Sequence, residues 1–275
     1  MHDDGTVTPA PGAVAPDRRV LRAEVGLVLV LTLLQSAVFA LLDVVRDLLQ
    51  TRDLSNLATA PIVGSNYPGH PWLDLLSQLL AYAFATAPVW LVIHLAHRDG
   101  ETAGDLGLSR ADGRLDALRG AAVAAVVGGA GLGIYLLAHA VDASLTVVPE
   151  ALPAVWWRVP ILLLSALHSG LVEEIVMVGW LLRRLTQLGW SWWRAVAVSA
   201  VIRGGYHLYQ GFGAFLGNAA MGVIFAYLWR RWSYRVWPLV IAHFLMDAVA
   251  YVGYAELHGH VSWLPEGCGL SSRRC

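Results

Sequence analysis

Two adjacent glutamates, Glu173 and Glu174, stand inside the apolar run Ile161 to Leu182, and later apolar segments carry His207 and the pair His243 and Asp247. A run of about 20 apolar residues is long enough to cross a hydrocarbon core of about 30 Å. A charged side chain at the centre of such a helix costs roughly 2.5–3.5 kcal/mol even on insertion scales. Ionisable groups in several membrane segments are therefore expected to face inward and share one polar, protein-lined site. That constraint limits the fold to a helical bundle with a functional centre.

The composition agrees. The chain has 275 residues, 57% of them hydrophobic and only 14% charged, with a mean hydropathy of +0.56. These values are too apolar for an ordinary soluble domain and identify an integral membrane protein. The formal charge is −1 and every cation is arginine, with no basic block that would suit nucleic acid. Both cysteines, Cys268 and Cys275, lie in the tail. Neither a disulfide framework nor a thiolate metal site is expected within the membrane part.

Seven apolar stretches are long enough to span: Glu24 to Val45, Asp74 to His97, Ala117 to Val141, Val159 to Leu185, Trp193 to Tyr209, Phe212 to Trp229 and Trp237 to Leu257. The fifth is short and Pro160 is placed to split the fourth, so the count ranges from six to eight. Arginines flank alternate ends, at Arg18, Arg19 and Arg22, at Arg98, Arg110, Arg114 and Arg119, at Arg183, Arg184 and Arg194, and at Arg230, Arg231 and Arg235. The positive-inside rule places these ends in the cytoplasm, with the N-terminus inside and the C-terminus outside a multi-pass cell-membrane protein. Residues 1–22 read as a cytoplasmic tail whose first sixteen positions, rich in Pro, Gly, Ala and Asp, are disordered by composition. Residues 23–145 follow as N-terminal transmembrane helices, 155–257 as the core and 258–275 as a C-terminal tail. The first apolar run reads as a retained span, since it is too long for the core of a signal peptide. Tryptophans at 72, 156, 157, 190, 192, 193, 232 and 237 fit an interfacial belt, and His168 fits a packing role.

At about 1.5 Å per residue, Glu173 lies about 16 Å from Arg184, His207 about 20 Å from Arg194 and His243 about 12 Å from Arg235. These similar depths allow one shared site. His243 and Asp247, four apart, share a helix face, so the carboxylate is placed to orient the imidazole. Glu173 and Glu174 are about 100° apart on an α-helix and are not expected to aim at one point. One acts and the other supports. Glycines 170, 179, 204 and 205 allow close helix approach. A glutamate and two histidines in a dry cavity polarise a water for attack on an amide, directly by general-base catalysis or with a bound metal ion. The serines at 165, 169 and 199 form no nucleophile elbow, and HExxH is absent.

These residues resemble the motifs of the CPBP intramembrane protease family, which includes the type II CAAX prenyl endopeptidases and bacterial Abi proteins. The resemblance covers roughly Val159 to Tyr254, with a weaker echo in the segment Gly104-Asp105-Leu106-Gly107-Leu108. The family's paired glutamates match Glu173 and Glu174, but Val178 stands where its arginine follows. Its second-motif histidine matches His207, with Arg203 in place of the aromatic residue four positions earlier. His243 and Asp247 meet the third motif in full. The resemblance implies that Glu173 and His207 activate the attacking water. It further implies that His243 and Asp247 stabilise the oxyanion or help hold a metal, and that Glu174 supports. A Glu173, His207, His243 set suits a single divalent ion, zinc before others, with an open fourth position. It equally suits a metal-free mechanism. Arg203, one turn before His207, is placed to supply the cation missing at 178 to a glutamate on the facing helix.

The expectation is thus an all-α polytopic bundle with a CPBP-like core in its last four spans. It acts as an endopeptidase on a membrane-associated peptide or protein, with the lipid bilayer as its other partner. The alternatives are a catalytically silent immunity or interaction protein and a proton-coupled transporter, the latter disfavoured because no paired repeats are visible.

Overall fold

The computed structural model describes residues 17–50, 61–109, 112–140, 148–257 and 260–261. Most of the described chain is helical. Helices α1 (Arg18–Val30) and α2 (Leu33–Gln50) are separated by a turn at Leu31 and Thr32. Next come α3 (Pro71–Ala85) and α4 (Ala87–Arg98), parted at Thr86, and then α5 (Gly113–Val123), a π-helical turn (Ala124–Gly128) and α6 (Gly129–Ala140). The last part comprises α7 (Arg158–Val172), a π-helical stretch (Glu173–Leu182), α8 (Arg183–Gln187), α9 (Trp192–Tyr206), α10 (Phe212–Arg231) and α11 (Trp237–Leu257). One small element departs from the all-helical expectation. Strands β1 (Val63–Gly64) and β2 (Glu150–Ala151) pair in parallel and tie together the loops before α3 and α7.

Five helices among the described residues are long and apolar enough to cross a membrane: Pro71–Arg98, Gly113–Leu137, Arg158–Gln187, Phe212–Arg231 and Trp237–Leu257. The other two expected stretches form a broken and a shorter helix. The stretch from Glu24 to Val45 is interrupted by the turn at Leu31 and Thr32. The stretch from Trp193 to Tyr209 ends as an α-helix at Tyr206, so α9 reaches only about 22 Å at 1.5 Å per residue. Pro160 does not split the fourth span. It occupies the first turn of α7, where its missing N–H has no intrahelical partner to lose. The first helix begins at Arg18 and already buries Leu21, 1% exposed, so the tail ends before residue 22. Positions 1–16, and all of the 258–275 tail except 260 and 261, lie outside the described residues.

The largest core packs the π-helical stretch, with Val176, Trp180, Leu181 and Leu182 all fully enclosed, against α1, α4, α9, α10 and the start of α11. A second core joins Val63, Leu152, Trp157, Ile161 and Tyr251 at the opposite end. Trp157 is 2% exposed there, so it is a core residue, not an interfacial one. The arginine-bearing ends are tied by ion pairs. Buried Arg184 reaches Asp99 at 2.9 Å and Glu101 at 3.4 Å, Arg183 pairs with Glu101 at 3.0 Å, and Arg98 pairs with Glu24 of α1.

The Gly104–Leu108 segment closes this end. Thr102 donates its N–H and hydroxyl to Asp105, both at 2.7 Å, which holds the Asp105 carboxyl below the usual carboxylate range. Leu106 is fully buried, and the Gly107 carbonyl accepts from the Val236 N–H at 3.1 Å. Gly107 has φ +81°, and a Cβ on it would stand 2.0 Å from the Tyr234 carbonyl oxygen. Both the backbone and the space demand glycine. Gly107→Ala is therefore expected to destabilise the protein by at least about 1–3 kcal/mol, read as a lowered thermal midpoint in detergent. Gly113→Ala, where nothing lies within 4 Å of the new Cβ, serves as the neutral control.

Candidate active site

The site is assembled where the π-helical stretch, α9 and α11 meet, and glycines set the distances. A Cβ on Gly170 would lie 3.0 Å from the Val240 carbonyl oxygen, so α7 and α11 pack almost backbone to backbone. A Cβ on Gly204 would lie 2.7 Å from the Phe215 carbonyl oxygen, which fixes α9 against α10. This is the small-residue contact that brings membrane helices close.

Glu174 is fully enclosed. Arg203, 1% exposed, crosses from α9 and donates Nη1–H and Nη2–H to its two carboxylate oxygens at 3.2 and 2.5 Å. The guanidinium also lies over the Phe225 ring, 5.4 Å from its centroid. Bidentate pairing of this kind is the strong form of the arginine–carboxylate contact. Glu174 also accepts from His243, whose Nδ1 is 2.7 Å from Oε1. The carboxylate can only accept, so Nδ1 carries the proton. The Arg203 Nη2, itself a donor, is therefore a neighbour of Nδ1 at 3.1 Å and not its hydrogen-bond partner.

Glu173 lies beside this pair. Its Oε2 accepts from the Tyr206 hydroxyl at 2.6 Å, lies 3.3 Å from Arg203 Nη2 and is 3.7 Å from His207 Nε2. His207 ends α9 and is stacked obliquely on Tyr206, with ring centroids 4.8 Å apart. Both of its ring nitrogens are buried without a hydrogen-bond partner in the protein. Asp247 Oδ2 lies 3.5 Å from His243 Nε2 and accepts from the Tyr251 hydroxyl at 3.3 Å.

All the expected site residues thus fall in one cluster, but with corrected relations. Both glutamates converge on the Arg203 Nη2. The π-helical stretch, with its i to i+5 bonding, turns less per residue than an α-helix, which narrows the angle between neighbours. Glu174, not Asp247, makes the close hydrogen bond to His243. Among the described residues no three His, Cys, Asp or Glu side chains are grouped to hold an ion. The Arg203 Nη2 lies beside both carboxylates and His243, 3.3 Å from Glu173, 2.5 Å from Glu174 and 3.1 Å from His243 Nδ1. Next to His207 and three residues after Arg203, Tyr206 is placed by the sequence to line a substrate cavity or to pack; the structure makes it the hydrogen-bond donor to Glu173. His168 packs on Tyr82, with ring centroids 5.5 Å apart, and its buried Nε2 has no hydrogen-bond partner.

Residues 155–249 match the family model described as type II CAAX prenyl endopeptidase Rce1-like, a segment that contains Glu173, Glu174, Arg203, His207, His243 and Asp247. No curated protein and no solved structure matches the chain.

Removing the buried cation should be costly. Arg203→Phe leaves Glu174 enclosed without a counter-charge and is expected to lose about 3–5 kcal/mol, measured by unfolding in detergent. Adding Val178→Arg, at a buried position four residues after Glu174, should restore stability by supplying the cation from the same helix. Unchanged stability of Arg203→Phe would refute this assignment.

Proposed function

We propose that this chain, a multi-pass membrane protein whose residues 155–249 belong to the type II CAAX prenyl endopeptidase Rce1-like family, hydrolyses a peptide bond of a membrane-associated protein or peptide with water as the nucleophile. The observation that carries the reading is the facing pair of Glu173 Oε2 and His207 Nε2, 3.7 Å apart and deep within the bundle. A water held between them loses a proton to Glu173 as its oxygen attacks the scissile carbonyl carbon. The carbonyl oxygen becomes an oxyanion, stabilised by the imidazole of His243, which Glu174 and Arg203 hold in place. As the carbon–nitrogen bond breaks, the proton returns from Glu173 to the leaving amine, and the products are a carboxylic acid and an amine. No step in this scheme passes through a metal.

Each neighbour has a defined role. The Tyr206 hydroxyl and Arg203 fix the Glu173 carboxylate towards His207. Glu174 is a positioning residue, because its oxygens are occupied by Arg203 and His243. Asp247, with a side chain 23% exposed, borders the entrance beside His243 and Tyr251. In the bilayer, the arginine-flanked ends lie in the cytoplasm with the N-terminus, and the C-terminus lies outside.

The test is cleavage of a membrane-peptide library by purified protein in liposomes. Glu173→Gln and His207→Ala are each expected to reduce turnover at least about 100-fold, the usual scale for general acid–base groups, while the protein still inserts and unfolds cooperatively. Tyr206→Phe keeps the ring stacked on His207 and is expected to lower kcat more than it raises KM. Equal cleavage by wild type and the two disabling variants would remove the basis of this reading.

A further inference from the structure

We infer that the site is entered from the extracytoplasmic side, so that the substrate is a peptide segment presented at the outer leaflet or beyond it. The identity of the guest as a peptide rests on the proposed hydrolysis. The direction of entry rests on the fold.

Towards the arginine-bearing ends, every element leaving the site is packed shut. Along the π-helical stretch all ten residues from Glu173 to Leu182 are buried. Going down α9 from Arg203, the inward positions Ala200, Val196 and Ala195 are at most 5% exposed, and on α10 Phe225, Ala226 and Trp229 are at most 2%. On α11, Ala242, Val240 and Leu239 are equally enclosed. Beneath them the Gly104–Leu108 segment forms a plug. Its Leu106 carbonyl oxygen lies 3.0 Å from where a Gly179 Cβ would stand, and its Gly107 is bonded to Val236. The Arg184, Asp99, Glu101 and Arg183 lattice closes the rim.

Away from those ends the side chains become partly exposed. The His207 side chain is 16% exposed and that of Asp247 is 23%. Tyr209 and Gln210 are also half-buried. The connection from His207 to Gly211 is a short 3-10 turn, and it is reached after only about 22 Å of α9 from the arginine-side face. The partial exposure of Tyr209, Gln210 and Asp247 makes this end the open side of the site. Among the described residues, Arg18, Arg19, Arg22, Arg98, Arg183, Arg184, Arg194, Arg230, Arg231 and Arg235 flank the sealed end, whereas Arg158 flanks the other. The positive-inside rule then makes the sealed end cytoplasmic and the cavity external.

Cysteine accessibility tests this without any activity assay, so its failure is separable from failure of the proteolytic reading. In a full-length background with Cys268 and Cys275 replaced by serine, Gln210→Cys and Asp247→Cys report on the cavity. Ser191→Cys, at the exposed start of α9, reports on the sealed end. A membrane-impermeant maleimide is applied to intact cells and to inverted membrane vesicles. The expected result is labelling of at least one cavity position in intact cells and of Ser191→Cys only in inverted vesicles. Labelling of both cavity positions solely from the Ser191 side, or from neither side, overturns the inference. Exchange of the two patterns, with Ser191→Cys labelled in intact cells, overturns the external assignment.

Discussion

The pairing of Arg203 with Glu174 is the contact on which the arrangement of the site depends. Taking two charges out of water costs several kcal/mol per ion even after relaxation, and only close geometry with further hydrogen bonds offsets it. Here the carboxylate is enclosed completely, the guanidinium binds both its oxygens, and His243 supplies the remaining donor. The same guanidinium nitrogen reaches Glu173, so one cation on α9 balances two carboxylates of the π-helical stretch. With Glu174 committed to structure, Glu173 is left to face His207. A division of labour between neighbouring glutamates follows from which of them the arginine clasps.

The rest of the bundle serves this contact. Glycines at 170 and 204 bring α11 and α10 close enough for side chains from three helices to meet. The π-helical stretch presents both glutamates to one guanidinium while burying all of its own residues. A solid core and a plugged, ion-paired rim lie on one side, and a turn carrying His207 and its polar neighbours lies on the other. Rigidity beneath the site and water access above it are the two conditions that hydrolysis within a bilayer imposes.

Much of this was legible in the sequence because ionisable residues inside apolar runs have few permissible positions. The helical class, five of the seven spans, and the cluster of Glu173, Glu174, Arg203, His207, His243 and Asp247 could be placed from spacing and family motifs. The failures have local causes. The interruption at Leu31 and Thr32 carries no proline or glycine to announce it, and α9 ends at Tyr206 because His207 begins a tight turn inside what reads as a continuous apolar stretch. The angle between the glutamates was misjudged because π-helical geometry leaves no pattern at the level of residue type. Residue type alone does not show that the Arg203 guanidinium lies among Glu173, Glu174 and His243; only side-chain placement does.

A double-mutant cycle on Arg203 and Glu174 tests the central claim most directly, using Arg203→Leu, Glu174→Leu and the double variant, with unfolding free energies measured in one detergent. Arg203→Leu leaves Glu174 enclosed without its cation, Glu174→Leu leaves Arg203 with Glu173 alone, and the double change removes the clasped pair. The account predicts that the double variant is more stable than the Arg203→Leu protein, with a coupling of about 2–3 kcal/mol at the upper end for contacting pairs. Additive losses, with no coupling between the two positions, would contradict it.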